Sequence, residues 1–425
     1  MNGKKSKPSY KFSQQMYVAE AGIEYLISIL VSGTFLATLT KQLGISDSLT
    51  GIISSFISLG CLFQLLSIFL RPKRVKTFVV IMSVVNQFLF MLLYLLPLLN
   101  IAPVVKITLF VATMFIAYIV YNFAHPKKIN WLMSLLDDSH RGIFTANKEI
   151  ISLIAGMVFS FLMGALVDYY AEKSDFKTAF VLSAVVLFAL MVFHTLTMVL
   201  TVEKDVPTGK KKESFKNSLT TVFKNKDILK VTLIFAIYYV SKDIITPFLA
   251  TYNINDLGFS LKFSSFIVIL GSVTRIVFSR FWGKYADKKS FAQMIEKCFL
   301  ILSLSYGCVA FATPQNGTVM LVLYNLLNGI AMGGVNSALI NLIFDYVSPN
   351  MRADSLAISQ SVAGVLGFLA TLTVSPLVSY IQNNGNTFLG IPIYAQQILA
   401  IVATVITLLS VVYVRKVLIK TSRTV

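Results

Sequence analysis

Read from its N-terminus, the chain alternates long apolar runs with short polar breaks. Twelve runs fall near residues 18–41, 48–70, 77–99, 103–125, 147–169, 178–201, 229–251, 262–282, 292–312, 317–345, 355–381 and 393–414. About 20 helical residues rise about 30 Å, the thickness of a bilayer's hydrocarbon core. A helix satisfies its backbone hydrogen bonds internally, so each run predicts a helix that crosses lipid. The expected fold is an all-α membrane protein with twelve transmembrane helices.

The second six runs repeat marks of the first six. Phe35-Leu36-Ala37-Thr38 recurs as Phe248-Leu249-Ala250-Thr251, and Ser54-Ser55-Phe56-Ile57 as Ser264-Ser265-Phe266-Ile267, at shifts of 213 and 210. Asn130, Arg141 and Gly156 correspond to Asn341, Arg352 and Gly367 at a shift of 211. A near-constant shift at equivalent positions argues for duplication more than any single word does. Two parallel six-helix bundles are expected, over 1–202 and 229–425, joined by a basic linker at 203–228. In the linker, Phe215, Leu219, Val222 and Phe223 share one face of a possible short helix on the membrane surface; a plain tether is the alternative.

Composition strengthens this picture. A chain of 425 residues that is 56% hydrophobic and 13% charged lies outside the soluble globular range. The net charge of +18 would suit a nucleic-acid partner if it formed one patch, but it sits in the loops. With the N-terminus cytoplasmic, only Lys41, Lys106, Lys173, Lys177 and Lys262 among the loop Lys and Arg fall on the outside. Basic residues resist translocation, so both termini are expected in the cytoplasm of a multi-pass plasma (inner) membrane protein. No nucleic-acid partner is expected. Cys61, Cys298 and Cys308 lack zinc or disulfide spacing and read as packing residues, and no signal peptide precedes run 1.

Ionisable groups inside spans are costly and mark candidate sites. Glu20 and Glu24 share a face of span 1, and mutual repulsion makes one of them, Glu24 first, a candidate for proton coupling. By helical rise Glu24 lies about 10 Å in from Tyr17. The alternative places Glu20 among headgroups and Glu24 beside a cation. Lys242 and Asp243 lie about 18–20 Å into span 7, and Arg275 lies about 14 Å from Lys284 in span 8, depths that suit an Asp243–Arg275 ion pair. Adjacent helical residues point about 100° apart, so Lys242 and Asp243 are expected to face different places, with Asp243 a further proton-coupling candidate. A purely structural charge network competes with that reading.

Asn325, Asn328 and Asn336 fall near one face of span 10, and Tyr118, Tyr121 and Asn122 form a polar group in span 4. Amides and phenols beside rings suit a hydroxyl-rich ligand, so Tyr25, Tyr118, Asn122, Tyr238, Lys242, Arg275, Asn325, Asn328 and Asn336 are the substrate-binding candidates. Interhelical glue, helped by Gly329, Gly333 and Gly334, is the competing role in span 10. Asn86, Gln87 and His194 are expected to serve packing at the periphery.

The loop after span 8 reads Gly283-Lys284-Tyr285-Ala286-Asp287-Lys288-Lys289-Ser290. It resembles the G-x-x-x-D-[RK]-x-G-[RK] signature of the major facilitator superfamily, with Ser290 where glycine is commoner. The first-half loop, Arg71-Pro72-Lys73-Arg74-Val75-Lys76, keeps the charge but lacks the glycine and aspartate. The resemblance covers the whole chain at the level of topology. It implies a rocker-switch secondary transporter with one site near midplane, lined mainly by spans 1, 4, 7 and 10. Gly283, Asp287, Lys288, Lys289, Arg141 and Arg352 would then form an inner gate.

The expected function is uptake of a small polar solute, best a sugar or oligosaccharide, in symport with protons by a monomer in the lipid bilayer. Span 5 lacks the proline of the family's drug antiporters, which leans away from proton-coupled drug or metabolite efflux, the alternative in transport. A non-transporting nutrient sensor on the same fold is the alternative from another class. No cofactor, metal or enzymatic activity is expected: there is no metal spacing, no Ser/His/Asp set among three histidines, and no phosphate loop at Thr208-Gly209-Lys210.

Overall fold

The computed structural model describes residues 10–67, 72–136, 141–203, 225–346 and 352–419. The linker at 204–224 lies outside them, and with it both readings of its short helix.

Spans 3 to 6 are Val75–Leu95, extended by a short 3-10 turn to Leu98, then Pro103–Met133, Arg141–Glu172 and Phe176–Leu200. In the second half, spans 7 to 12 are Lys226–Thr251, Leu261–Lys288, Phe291–Ala310, Gly317–Tyr346, Arg352–Asn383 and Ala395–Tyr413. Spans 1 and 2 are each broken. Span 1 runs Lys11–Leu30 and Gly33–Gln42, with Gly33 taking φ +55°, a conformation that costs glycine little. Span 2 runs Asp47–Ser54 and Phe56–Ser67. Among the described residues, ten helices are long and apolar enough to cross a membrane. Spans 2 and 7 complete the twelve passes.

Short polar words start the helices. The side chains of Ser46, Asp175, Asn225, Ser260 and Ser290 each accept a hydrogen bond from a backbone N–H in the first turn that follows, satisfying donors a helix start leaves open. Span 7 contains Pro247, which has no N–H for the carbonyl of Asp243 four residues earlier. The Thr371 hydroxyl of span 11 donates to that carbonyl at 2.6 Å, so a neighbouring helix repairs the break. Beyond Thr251 the chain continues as a π turn, Tyr252–Asp256. A two-stranded hairpin, Thr387–Phe388 with Ile391–Pro392, precedes span 12; its turn residues Leu389 and Gly390 both have positive φ, the pattern of a tight hairpin turn. The apolar periodicity gave no sign of it.

The buried apolar side chains form separate cores. One holds residues of spans 7 to 12, including Phe235, Phe248, Phe299 and Tyr306. Another holds Ile27, Leu36, Phe110 and Met114 of the first half and reaches across to Leu261. A smaller cluster around Tyr17, Trp131 and Met198 packs the first half nearer the termini. Large exposed apolar residues such as Val104, Phe188, Val277 and Leu409 face outward, as lipid-facing positions should.

On the side opposite the termini the halves are joined by a hydrogen-bonded seam. There Asp47 accepts from Asn255 at 2.6 Å and Gln382 at 2.8 Å, and Ser48 and Ser375 exchange hydrogen bonds with each other's carbonyls at 2.9 and 3.0 Å. The Asp168 carboxylate accepts from the Leu261 and Lys262 N–H groups at 3.0 and 2.7 Å, so span 5 caps the start of span 8. Asp256 lies beside this seam, outside the spans. Burial, then the nearby Asp47 charge, push its carboxyl up to about 7.

Candidate functional site

Glu20 and Glu24 face the interior of the first bundle, one turn apart on span 1. Lys128 of span 4 reaches both: its ammonium lies 3.0 Å from Glu20 Oε1 and is hydrogen-bonded to Glu24 Oε2. His194 Nε2 of span 6 is 3.2 Å from Glu20 Oε1, and its Nδ1 is 2.8 Å from Gln87 Nε2 of span 3. The Gln87 amide is a donor, so Nδ1 accepts and the neutral ring donates through Nε2 to Glu20. The Glu20 and Lys128 side chains are 2% and 6% exposed, while Glu24 is 22% exposed and reaches the cavity.

Gln87 and His194 therefore correct the expectation of peripheral packing: they join span 1 through Glu20. Asn86 retains a packing bond, donating to the Ala117 carbonyl at 2.9 Å, and also lines the cavity. Sequence reasoning placed Glu24 beside an unnamed cation as an alternative to coupling. Lys128 is that cation, hidden because it follows the expected end of run 4. Oxygen atoms of Glu20 and Glu24 and a ring nitrogen of His194 lie within 4.8 Å of one another, close enough to share a metal ion. Lys128 stands on both carboxylates and supplies the positive charge there itself.

A cavity of about 350 Å³ opens beside this cluster, walled by Tyr17, Tyr25, Phe90, Tyr118 and Tyr121 with Asn86, Gln87 and Lys148. Tyr25, Ser28 and Ser32 of span 1 separate it from a second cavity of about 300 Å³ between the halves. That one is lined by hydroxyls and amides, including Ser160, Thr246, Asn253, Ser265 and Asn325. Asn253 is 7% exposed, and its side-chain oxygen has no hydrogen-bond partner among the described residues.

The second-half candidates do different work. Asp243 does not meet Arg275. It pairs with Lys242 at 3.1 Å and accepts from Ser58 of span 2 at 2.7 Å. Two neighbours that point 100° apart at Cα still meet, because the long lysine chain curls back over the Tyr239 ring, 4.5 Å from its centroid. Asp243 is 4% exposed and pressed against Gly367, so it braces spans 2, 7 and 11. Arg275 instead reaches across to Glu149 of span 5 at 2.6 Å. Tyr238 packs into the second core, stacked on Phe299 at 6.0 Å. Asn122 packs on Gly60 and accepts from Gln64 at 2.8 Å, which takes it out of the cavity wall. Asn328 donates to Tyr324, Asn325 donates to its own helix while lining the second cavity, and Asn336 is exposed. Span 10 glycines do permit close packing: a Cβ at Gly329 would strike the Gly271 carbonyl of span 8.

Residues 21–371 match the family described as Major Facilitator Superfamily. The chain belongs to that superfamily. It is similar in fold to a single-residue mutant of the nucleoside transporter NupG, with TM-score 0.72 and 14% identity over 95% of this chain and 99% of the other. A bacterial homolog of the human lysosomal transporter Spinster gives 0.70 and 13% over 96% and 97%, and a D-xylose–proton symporter gives 0.67 and 14% over 94% and 97%. No curated protein sequence matches the chain. At such identities the likeness shows the fold alone.

The superfamily signature sits at the terminus-side end of span 8. Gly283, Lys288 and Lys289 are exposed there, and a Cβ at Gly283 would meet nothing within 4 Å. Asp287, Arg141 and Arg352 belong to described helices, but their side chains lie outside what the structure describes.

Proposed function

We propose that this membrane protein is a secondary active transporter that takes up a small hydroxyl-rich solute, of the sugar class, in symport with protons. The observation that carries the reading is the shared wall between the 350 Å³ cavity and the Glu20–Glu24–Lys128 cluster. Two carboxylates on one ammonium leave one negative charge for a proton, and Glu24, the more exposed of the two, is where it arrives. Protonated Glu24 loosens its hold on Lys128, which then has donors to offer a bound hydroxyl. Rings covering an apolar sugar face and amides bonding its hydroxyls supply the rest of the site.

The tight seam opposite the termini supports a state closed on that face. With both termini cytoplasmic in the cell membrane, that is the inward-facing stage of alternating access by a monomer, its lobes rocking about the cavities. Signature residues on the terminus side serve as the gate in the opposite stage. Proteoliposomes holding the full chain test the proposal. Imposing an acid-outside gradient should drive sugar accumulation, and Glu24→Gln should abolish the response while leaving the protein monodisperse. Uptake that ignores both the gradient and the substitution would remove the coupling role.

A further inference from the structure

The cavity beside the cluster holds four formal charges: Glu20, Glu24, Lys128 and Lys148. Lys128 is joined to both carboxylates. Lys148 of span 5 has no carboxylate within ion-pair distance among the described residues. It rests on the Tyr17 ring, 4.9 Å from the centroid, in the field of Glu20 and Glu24, while its neighbour Glu149 turns to Arg275. The group is neutral as it stands. One proton on Glu24 makes it positive by one unit, with Lys148 as the cation left facing the cavity.

We propose that the transported solute is a monocarboxylate sugar acid of the uronate class, bound through its carboxylate to Lys148 and carried together with one proton. The inference rests on the proton-coupled reading above and narrows its substrate. Charge balance selects the class, since an uncompensated charge within a membrane protein is unfavourable. A neutral sugar would leave the protonated site at plus one, a sugar phosphate with two charges would leave it at minus one, and a monocarboxylate returns it to zero. The remaining titratable groups facing Glu24 do not supply the missing anion: Tyr17 and Tyr25 from span 1 and Tyr121 from span 4 are phenols, and His125 of span 4 and His194 of span 6 are imidazoles counted as uncharged. Tyr17 and Tyr118 with Gln87 hold the sugar body while the carboxylate meets the ammonium. The proton that enters on Glu24 leaves with the solute, so each cycle moves one proton and one monoanion and no net charge.

Electroneutrality makes the idea testable in proteoliposomes of the full chain, with radiolabelled D-glucuronate and D-glucose as probes. Glucuronate should accumulate under an acid-outside gradient and exceed glucose by roughly tenfold. A potassium diffusion potential set with valinomycin should leave its rate unchanged. Lys148→Gln should remove most glucuronate uptake, and Lys148→Arg should restore it. Thermal stabilisation of the wild-type protein by glucuronate, stronger at acid than at alkaline pH, checks binding independently of how the variants fold. Glucose accumulating while glucuronate neither accumulates nor competes overturns this inference and leaves proton-coupled uptake standing. Glucuronate uptake driven by the potential, or untouched by Lys148→Gln in a well-folded variant, overturns it as well. If neither solute responds to the gradient, both readings fall.

Discussion

The two halves hold charge within the membrane in different ways. In the first, two carboxylates share one ammonium at the edge of a cavity; in the second, Asp243 and Lys242 close on each other and on Ser58, with Asp243 walled in by Gly367. The duplication makes the contrast sharper. At the 213-residue shift Glu20 and Glu24 fall on Leu233 and Ile237, while Lys242 and Asp243 fall on Ile29 and Leu30. Each half places aliphatic residues where the other places ions. A repeated scaffold thus carries an ion cluster beside a cavity on one side and a closed pair on the other, and depth in the membrane alone does not tell the two apart.

The largest expected effect separates these two clusters. Lys128→Met leaves the buried Glu20 carboxylate facing its partly exposed neighbour Glu24 with no cation between them and should cost about 3–5 kcal/mol, read as a large fall in Tm in detergent. Lys242→Met should cost less, because it strands a single carboxylate rather than two and Asp243 keeps its bond from Ser58. Equal losses would dissolve the distinction between the halves.

Packing gives the next test. Gly51→Ala drives a Cβ into the fully buried Phe248 ring across the seam, and Gly329→Ala drives one into the Gly271 carbonyl within the second half. Each should cost about 1–3 kcal/mol of stability. Only Gly51→Ala should also open the face opposite the termini, visible as a lengthened spin-label distance between positions 44 and 385. A shift from Gly329→Ala instead would mean that the second half is not a rigid unit.

The seam should also respond to pH. The Asp256 carboxyl ordinarily titrates near 3.8 and is pushed up to about 7 in the fold, so the folded state holds that proton more tightly. Its contribution is therefore complete at low pH and is lost as pH rises from about 4 through 7. Tm should fall by a few degrees over that window, and Asp256→Asn should flatten the profile. A profile that rises instead would place Asp256 in a favourable ion pair. Smallest of all, Asn336→Ala should change Tm by no more than about 0.5 kcal/mol equivalent, since the residue is exposed; a large loss of uptake would return span 10 to the binding surface.

Twelve passes and the repeat were legible because lipid and backbone geometry act locally along the chain. Glu20 and Glu24 stood out for the same reason, as charges in an apolar run. Their partners did not. Lys128 sits just past a run that ends by hydropathy at residue 125, and His194 is a single ionisable residue in an otherwise uncharged run, 178–201. The expected Asp243–Arg275 pair failed because depth was known and azimuth was not. Helical rise gives how far a side chain lies from the membrane surface, but which helix it faces depends on how twelve helices pack.

By itself, then, the sequence determined the solvent, the number of crossings and the duplicated plan, since each follows from the free energy of putting a given residue into hydrocarbon. Only the tertiary structure decided that Lys128 stands between Glu20 and Glu24, that Arg275 crosses to Glu149, and that Thr371 answers the carbonyl freed by Pro247. Those pairings join residues up to 128 positions apart, and their distances are set by helix rotation and close packing, which no local property of the chain encodes.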